Sequence, residues 1–493
     1  MLLAILVILP FVLGGAAFLC RTGPAGRGLL VAGAGAHLIL SVAAVFGRPE
    51  ALFGGILLLD ALGGLFLLLT SILFAAAAVY AVGYLAKEHG DERRDFQEGA
   101  FFSNAPQTVF IACLFFFLGS MTLVTATHHL GLLWAAIEAT TLASAPLIYF
   151  HRHHRSLEAA WKYLVICSVG IALALVGNIL LAAAGGAGAP DTESSLYLGD
   201  LLARAKTMNP MWFKAGFVFL MVGYGAKMGL APMHTWLPDA HSESPSLVSA
   251  LLSGALLNCA FLGILRAHQI GVAAGLADFC SPIFIGLGLF SMVTAAVFII
   301  GQGDFKRILA YSSVEHMGIL SLAVGLGGAA VFGGMLHAAA HSVTKAMLFL
   351  LAGNILAAFH TKSSHDARGV IRALPVTGIL WVAGFLAITG SPPFGIFLSE
   401  LTILKAALDA GRFVLAAAYL GLLGLIFCGM AVPVLRMAQG PSTPHIDPGP
   451  RGEDALSVGP PLVLGGLTLL LGLYAPSFFS DLLTRAAALA SGM

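Results

Sequence analysis

Long apolar segments follow one another along this chain, and they constrain its fold more than any other feature. The hydrocarbon core of a bilayer is about 30 Å thick, so a helix of about 20 apolar residues can cross it. Of the 493 residues, 58% are hydrophobic and 10% are charged. We therefore predict an all-α membrane protein with about 14 transmembrane helices. The predicted spans are 2–20, 28–46, 57–84, 107–126, 129–150, 161–185, 212–231, 244–268, 281–300, 307–327, 331–358, 376–404, 413–437 and 458–476.

The first span is interpreted as a membrane helix rather than a cleaved signal, because no basic residue precedes it and the second span follows closely. Loops after odd-numbered spans, with their helix ends, carry fifteen lysines and arginines, against eight on the other side. The positive-inside rule therefore predicts both termini on the non-cytoplasmic side. Two basic residues, Lys227 and Lys345, fall on neither side because they lie within spans.

Several classes of function lack the residues they need. The net charge of +1 offers no basic surplus for nucleic-acid phosphates. The six cysteines lie in or beside apolar runs without CxxC spacing, which disfavours a zinc or iron–sulfur site. No GxxxxGK[ST], GxGxxG or GxSxG pattern supports nucleotide hydrolysis, dinucleotide binding or serine hydrolase chemistry. We therefore expect no cofactor, metal or redox centre in this chain.

The placement of charges and breaks repeats itself along the chain. Span 5 carries Glu138 and, 89 residues later, span 7 carries Lys227 beside a break at 231–232. Span 10 carries Glu315 and, 85 residues later, span 12 carries Glu400 just after a break at Ser391-Pro392-Pro393. A unit of five helices ends on the opposite side of the membrane from where it begins. The second copy therefore enters the membrane from the opposite face. The pattern predicts two inverted five-helix repeats with broken helices 7 and 12, and such breaks usually mark an ion path.

This layout divides the chain into four predicted parts. A peripheral three-helix bundle is expected at 1–106, a first inverted repeat of helices 4 to 8 at 107–268, a second of helices 9 to 13 at 281–437, and a C-terminal helix at 458–493.

Glu138 and Lys227 are ionisable groups inside spans, where a charge costs at least about 2.5 kcal/mol. If the two face each other, they titrate as a pair, and moving one partner away can release or capture a proton. The alternative is a static ion pair that holds helices together. Because Lys227 also lies at a helix break, we favour proton translocation.

A ladder of basic groups occupies HAAAHSVTKAMLFL, where His337, His341 and Lys345 are spaced i, i+4 and i+8. This spacing puts them on one helix face about 12 Å long. Histidine exchanges protons near neutral pH, and lysine does so when desolvated. Zinc bound by the two histidines is one alternative, although no HExxH pattern supports it, and a packed ladder without transport is another. We favour a hydrated proton wire.

Two further carboxylates extend this series. Glu315 and His316 are adjacent in LAYSSVEHMGIL, one turn after two serines whose hydroxyls can position water beside a carboxylate. The alternative is a charge cluster at the helix end, because basic residues lie upstream at 306–307. Glu400 is predicted to close the proton route, the alternative being an interfacial residue paired with Lys405.

Other charges have ordinary interpretations. Asp60, at the outer end of span 3, fits a structural or subunit-contact residue better than a relay member. The segments 87–98 and 441–454 are predicted polar loops, and HRHHR at 151–155 a basic membrane edge.

Three motifs make the chain resemble a known family. They are HTWLPDAHSESPSLVSALLSGALLNCAFLGILR at 234–266, DFKRILAYSSVEHMGIL at 304–320 and HxxxHxxxKxxLFLxxGN at 337–354. Together they are similar to the antiporter-like, proton-pumping subunits of respiratory complex I and its relatives. The resemblance covers most of the chain and implies fourteen membrane helices with two inverted five-helix repeats.

The resemblance also implies roles for individual residues. Glu138 and Lys227 would form the charged pair of one half-channel, and Glu400 the terminal group of the other. His337, His341 and Lys345 would belong to a central hydrophilic axis. We further expect supporting roles for five residues: Glu315, His316, His234, Asn258 and, as a structural or subunit-contact residue, Asp60.

Asn258 departs from the family pattern, because relatives often have a lysine at this point of span 8. An asparagine can hold water but cannot carry a proton. The link between half-channels would then run through water, run through His337 and its neighbours, or be weaker.

The segment SSVEHMGIL, with its acidic Glu315, is most similar to the hydrogenase-4 component F type, a subunit of energy-converting membrane-bound hydrogenases. The expected function is proton translocation driven by electron transfer in partner subunits of a hydrogenase or complex I-like assembly in a prokaryotic inner membrane. The alternatives are an Mrp-type cation/proton antiporter subunit, with protons or sodium as the ion, and a membrane scaffold for a redox arm.

Overall fold

The computed structural model describes residues 1–20, 22–88, 93–94, 99, 101–186, 195–441 and 453–492. The helices in these ranges are α1 (Leu2–Ala17), α2 (Gly23–Gly47), α3 (Ala61–Lys87), α4 (Gln107–Ala126), α5 (Leu130–Ile148), α6 (His154–Gly186), α7 (Leu198–Ala203), α8 (Pro210–Met228), α9 (Trp236–Glu243), α10 (Ser246–Leu251), α11 (Leu257–Ala273), α12 (Ala277–Ile299), α13 (Phe305–Leu326), α14 (Ala329–Phe359), α15 (Val370–Ala373), α16 (Pro375–Ile388), α17 (Gly395–Asp409), α18 (Phe413–Gln439), α19 (Ala455–Leu473) and α20 (Ser477–Ala490). A π-helical segment, Leu252–Leu256, joins α10 to α11, and short 3₁₀ turns lie at Phe53–Gly55 and Ala205–Thr207. Two short antiparallel strands, β1 (Arg93–Arg94) and β2 (Phe101–Phe102), pair with each other.

The helices of these ranges make fourteen crossings, as the sequence predicts. Eleven are long and apolar enough to span a membrane, with Ser246–Ala273 counted as one. The other three are α1 and two crossings that each consist of two helices, α8 with α9 and α16 with α17. The predicted all-α membrane fold with broken helices 7 and 12 is confirmed.

The first break follows Gly229, whose left-handed conformation (φ 84°) ends α8. The Ala231 N–H donates to the Ser291 hydroxyl at 3.0 Å, and the Trp236 indole donates to the carbonyl of Ala226 at 2.8 Å. Polar groups freed by the break thus bond within the protein. Non-helical backbone at membrane depth is tolerated only under that condition.

The second break follows α16 at Gly390, which also has a positive φ of 66°. The next N–H, of Ser391, returns to the carbonyl of Leu386 at 2.9 Å. A Cβ at position 390 would overlap the carboxylate of Glu400. Glycine is therefore required here both by the backbone conformation and by the space that Glu400 occupies.

Glycine pairs bring neighbouring helices into close contact in both halves. A Cβ at Gly216 on α8 would lie 2.9 Å from the carbonyl of Gly177 on α6. On α12, a Cβ at Gly288 would lie 2.7 Å from the carbonyl of Gly318 on α13. Small residues of this kind are typical of helix contacts in membranes. At the centre, α13 and Ser246–Ala273 are almost wholly buried, whereas α18 and α19 lie mostly exposed at the periphery.

Helix α3 packs into the interior rather than beside α1 and α2 alone. It contacts α10, α14, α19 and α20, and its Tyr80 donates to the amide of Asn354 on α14 at 3.0 Å. The four-part division of the chain stays a prediction. Within its first part, α1 packs on α2 and α4, and α2 packs on α1, α3 and α4.

The C-terminal region consists of two helices where the sequence suggested one. The chain breaks between α19 and α20 at Tyr474–Pro476, because Pro476 directly precedes the new helix. Helix α20 buries Leu482, Leu483 and Ala486 against the bundle, and the Gln269 amide donates to the carbonyl of Leu489 at 2.8 Å. It is a short amphipathic helix that packs against α3, α11 and α14.

The two predicted polar loops lie mostly outside the described residues, as do Arg21, Arg451 and the side chains of the β1 arginines that entered the charge count. At their described ends, Lys87 pairs with Asp454 at 2.6 Å. The six cysteines all lie in the described ranges and are unpaired.

Candidate functional site

Lys227 is fully buried in the last turn of α8 and contacts two hydroxyl groups. Its ammonium donates to Thr141 Oγ1 at 2.8 Å and to the Tyr163 hydroxyl at 2.6 Å. Thr141 donates in turn to Glu138 Oε2 at 3.0 Å, while Ser168 donates to Glu138 Oε1 at 2.7 Å. The predicted pair is thus brought together, but a bridging hydroxyl replaces the direct ion pair.

Aromatic side chains complete the surroundings of this lysine. The Lys227 ammonium lies 4.6 Å from the centroid of the Tyr163 ring, close enough for a cation–π contact. Tyr163 packs against Trp236 with 4.9 Å between ring centroids and hydrogen-bonds Ser144 at 2.7 Å. Sequence analysis missed the tyrosine and the bridging threonine. A signal existed only for the threonine, which follows Glu138 by three residues and so lies on the same helix face.

Lys345 lies at the centre of the bundle, on α14. It donates to the Leu309 carbonyl at 2.6 Å and to the Ser312 hydroxyl at 2.8 Å, both on α13. The serine one turn before Glu315 therefore holds the lysine. Glu315 is 3% exposed and close enough to Lys345 for electrostatic attraction.

The ladder on α14 is completed by a histidine from α13. His337 and His341 each contact His316, with ring centroids 5.0 Å and 4.9 Å apart. His316 Nδ1 lies 2.9 Å from His337 Nε2, and His337 Nδ1 lies 2.8 Å from the Ser399 hydroxyl on α17. The sequence predicts a proton wire on one helix, α14. The structure instead shows a cluster formed by α13 and α14, which ends at Ser399 beside the second break.

Glu400 lies at this same end, 7% exposed. One donor atom each of His316, His337 and Glu400 lies within 4.8 Å of the others. Lys405 pairs instead with Asp409, one turn further along α17. The alternative pairing of Glu400 with Lys405 is therefore not formed.

Asn258 connects span 8 to the ladder helix. Its amide donates to the Ser342 hydroxyl on α14 at 2.8 Å and to the Gly254 carbonyl at 2.9 Å. Gly254 belongs to the π-helical segment, and a Cβ there would lie 2.9 Å from the carbonyl of Ser342. Among the described residues, no hydrogen bond joins Lys227 to Asn258. Single π turns are frequent at functional sites, and this one sets span 8 close against α14.

The basic residues at the start of α13 have partners of their own. Lys306 donates to the carbonyls of Ser244 and Ser242 at 2.6 and 3.3 Å, and Arg307 pairs with Asp239 at 2.7 Å. They do not form a cluster with Glu315.

Asp60 is the N-cap of α3 and accepts two hydrogen bonds from Arg266, at 2.6 and 2.9 Å. His128 lies 3.5 Å away. Burial acts to raise the pKa of Asp60, but the charge and hydrogen bonds of Arg266, with smaller contributions from His128 and the Gly63 N–H, outweigh it and lower the pKa to about 2. This geometry fits the structural interpretation of Asp60.

His234 lies in the first break, between α8 and α9. Its ring is 6.1 Å from Tyr311 and 6.4 Å from Phe298, and its Nδ1 is buried without a hydrogen bond. The structure does not bring it into the two groups described above.

One end of the bundle, here called the basic end, carries Lys87, Arg155, Lys306 and Lys362 around a cavity of about 610 Å³. Glu243 lines it and pairs with Lys362 at 2.9 Å. The cavity is therefore lined by charged side chains of both signs.

His241 lies between this cavity and the ladder. It is fully buried, stacks on Phe349 at 4.8 Å, and neither ring nitrogen has a hydrogen bond. It is close enough to both Lys306 and Lys345 for their charges to act on the imidazole. Sequence analysis missed it, although it belongs to the quoted DAHSESP stretch.

Comparison with known proteins identifies the family. Residues 127–425 match the NADH:quinone oxidoreductase/Mrp antiporter transmembrane family. The chain is 36% identical over 371 residues to a hydrogenase-4 component F homolog from Methylacidiphilum infernorum, covering 75% of this chain and 76% of that protein. It spans 52 to 59% of the length of three further curated relatives.

Solved structures show the same fold at low identity. A chain of the membrane-bound sulfane sulfur reductase, an archaeal respiratory membrane complex, matches with a TM-score of 0.85 and 21% identity, over 99% of this chain and 97% of that one. A chain of the Mrp complex from Dietzia sp. matches with a TM-score of 0.85 and 19% identity over the same shares. With the resemblance of the motifs thus confirmed, the chain belongs to the NADH:quinone oxidoreductase/Mrp antiporter transmembrane family.

Proposed function

We propose that this chain is the proton-translocating, antiporter-like membrane subunit of a redox-driven complex, in which electron transfer in partner subunits drives proton transport. The observation that carries the proposal is a series of ionisable groups within the bundle, all of them buried except the half-buried Glu138. All but Glu400 form hydrogen bonds with hydroxyl, carbonyl or imidazole groups. A charge in this environment costs at least about 2.5 kcal/mol, so a purely mechanical subunit would have no reason to keep the series. Its members are Glu138, Lys227, Lys345, His316, His337 and Glu400.

In the first half, the bridge through Thr141 makes the charged pair adjustable. A threonine hydroxyl accepts from one group while donating to the other, so it transmits the position of Glu138 to Lys227. A redox change in a partner that displaces Glu138 alters the electrostatic energy of the ammonium. The pair can then take up or release a proton as a unit.

In the second half, the charge of Lys345 acts on the histidine cluster. Histidines 316 and 337 share one hydrogen bond, and Ser399 continues the chain beside Glu400. Neutral imidazoles that donate with one nitrogen and accept with the other can pass a proton along such a series. Glu400 is the proposed terminal group.

The cavity at the basic end is the proposed entrance. Its wall carries Glu243 and Lys306, and His241 follows between Lys306 and Lys345. A buried histidine with two unpaired nitrogens fits a carrier that exchanges protons with water from the cavity.

The energies involved are modest. Moving one charge against 100 mV costs about 2.3 kcal/mol. Making or breaking one hydrogen bond to a charged group changes the energy by about 1.5–3 kcal/mol. A rearrangement of the Thr141 bridge is therefore of the right size to drive one proton.

The partners proposed for this chain are membrane subunits and a peripheral redox arm of a hydrogenase or complex I-like assembly. The similarity to a hydrogenase-4 component F homolog favours the hydrogenase type. We place the protein in the inner membrane of a prokaryote with both termini on the non-cytoplasmic side. Support comes from the lysines and arginines around the cavity, which the positive-inside rule assigns to the cytoplasm.

A second candidate is an Mrp-type cation/proton antiporter subunit, favoured by the structural match to the Mrp complex. Vesicles that contain the purified complex separate the candidates. Proton movement that follows electron transfer supports the redox-driven reading, whereas sodium-driven proton movement without any electron donor contradicts it.

Two substitutions test whether the chain transports at all. Lys227→Ala and Glu138→Ala should each abolish proton uptake by vesicles while electron transfer in the partner arm continues. Lys405→Ala, in an exposed ion pair, is the matched control and should leave proton uptake intact. If both variants pump normally, the chain is a scaffold and the proposal is wrong.

A further inference from the structure

Three side chains from three helices converge at the end of the histidine cluster that lies beside the second break. His316 comes from α13, His337 from α14 and Glu400 from α17, and one donor atom of each lies within 4.8 Å of the other two. All three are buried, with exposures of 0%, 0% and 7%. The sequence suggested zinc only for His337 with His341, but the tertiary structure replaces His341 with His316 and adds a carboxylate.

Some polar atoms of these side chains have no hydrogen-bond partner. His316 Nε2 and Glu400 Oε1 are buried without a hydrogen bond, and so is the hydroxyl of the neighbouring Tyr419. An unpaired buried polar atom is destabilising, so a group that bonds it is favoured. A cation that accepts lone pairs from nitrogen and oxygen meets this need for Glu400 Oε1 and takes the place of the hydrogen bond between His316 Nδ1 and His337 Nε2.

The donor set and the spacing indicate which cation. Two imidazoles and one carboxylate form the ligand set of many zinc sites with three protein ligands and one water. Ligands of a tetrahedral zinc ion lie about 3.4 Å apart. His316 Nδ1 and His337 Nε2, now 2.9 Å apart, need to separate only slightly, and Glu400 can approach by rotating its side chain. Magnesium and calcium, which take oxygen ligands, do not suit this site.

We propose that His316, His337 and Glu400 form a binding site for Zn²⁺ or a similar divalent transition-metal ion, and that the bound ion blocks proton movement through the cluster. An ion on His337 and Glu400 occupies the lone pairs that a moving proton needs. Metal binding itself does not depend on the proposed function, whereas inhibition of transport rests on it.

The binding test uses the full-length chain, purified in mild detergent and treated with a chelator. Co²⁺ is the first probe, because its visible absorption bands report tetrahedral coordination, and Zn²⁺ should displace it at one ion per chain. His316→Asn, His337→Asn and Glu400→Gln should each weaken binding by about 100-fold or more, beyond what loss of an outer partner costs. His341→Asn and His268→Asn are matched buried-histidine controls and should bind as the wild type does.

Two measurements keep the test decisive if a variant fails to fold. X-ray absorption of the Zn²⁺-loaded wild type should show two imidazoles and oxygen. Glu400→His, which restores a ligand, should keep Zn²⁺ binding that Glu400→Gln loses. Absence of binding, binding that survives His337→Asn in a folded variant, equal binding of Mg²⁺, or sulfur or oxygen ligands without imidazole each overturn the proposal.

The transport arm uses vesicles with the intact wild-type complex. Zn²⁺ should slow proton uptake, and EDTA should restore it. If Zn²⁺ binds at the three residues and proton uptake is unchanged, the proton route through His337 is wrong while the metal site stands. The two proposals can therefore fail separately.

Discussion

Lys227 reaches Glu138 through the hydroxyl of Thr141, which accepts from the lysine at 2.8 Å and donates to the carboxylate at 3.0 Å. No direct ion pair joins the two among the described residues. The pair is therefore coupled through a neutral hydroxyl group. Valine has nearly the same shape as threonine but lacks this hydroxyl.

Thr141→Val should lower proton transport by about 10- to 100-fold, because it removes one hydrogen bond from each charged group, worth about 1.5–3 kcal/mol. Electron transfer in the partner arm should continue. The measurement is proton uptake by vesicles with the intact complex. Thr140→Val is the matched control, since Thr140 bonds only the Ile137 carbonyl within its own helix. Equal activity of both variants would show that the bridge carries no coupling.

The membrane fold was predictable because hydrophobic length is a local property of the sequence. The fourteen crossings and both breaks follow from apolar runs, glycines and prolines. Helix α20 was missed because an amphipathic helix of fourteen residues has no span-length signal.

The site was predictable in its charges but not in its connections. Spacing along one helix identified His337 and His341, but the insertion of His316 between them depends on how α13 packs on α14. Tyr163 and His241 matter only through tertiary contacts. Ordinary polar residues give no local signal for such a role.

Asn258 and Ser342 should act as one unit in transport. Asn258→Ala and Ser342→Ala each remove the hydrogen bond that joins span 8 to α14. A double-mutant cycle on proton uptake rates should give a coupling energy of about 0.5–1.5 kcal/mol. Additive effects would mean that the contact only fills space. Thr344→Ala, whose hydroxyl bonds Ala340 and Thr468, is the control and should show no coupling to Asn258.

His241→Asn should slow proton uptake from the basic end without disturbing the fold. The ring nitrogens have no hydrogen bond to lose, so stability should change little, apart from the lost stacking on Phe349. Transport should fall at least about 10-fold, in the range that loss of a positioned acid–base group costs. His268→Asn, a buried histidine outside the route, is the control. Normal proton uptake by His241→Asn would show that protons enter by another route.

Asp60 should contribute to stability rather than transport. Asp60→Asn leaves Arg266 buried without its charge partner, which costs about 3 kcal/mol or more. The lowered pKa means that the contribution of Asp60 is complete above its ordinary pKa near 4 and is lost as pH falls toward about 2. Thermal unfolding in detergent across this range should show the loss in the wild type but not in Asp60→Asn. Lys405→Ala should unfold as the wild type does, because its ion pair is exposed.

Gly390→Ala should impair transport by displacing Glu400. A methyl group at this position overlaps the carboxylate, and the backbone is left-handed, so both strain and contact oppose it. Gly411→Ala is a close control, because Gly411 has a nearly identical φ of 68° against 66° but open space around its Cβ position. Both variants should lose about 1 kcal/mol of stability from the backbone. Only Gly390→Ala should also lose proton uptake, and an equal loss in both variants would show that Glu400 does not need its present position.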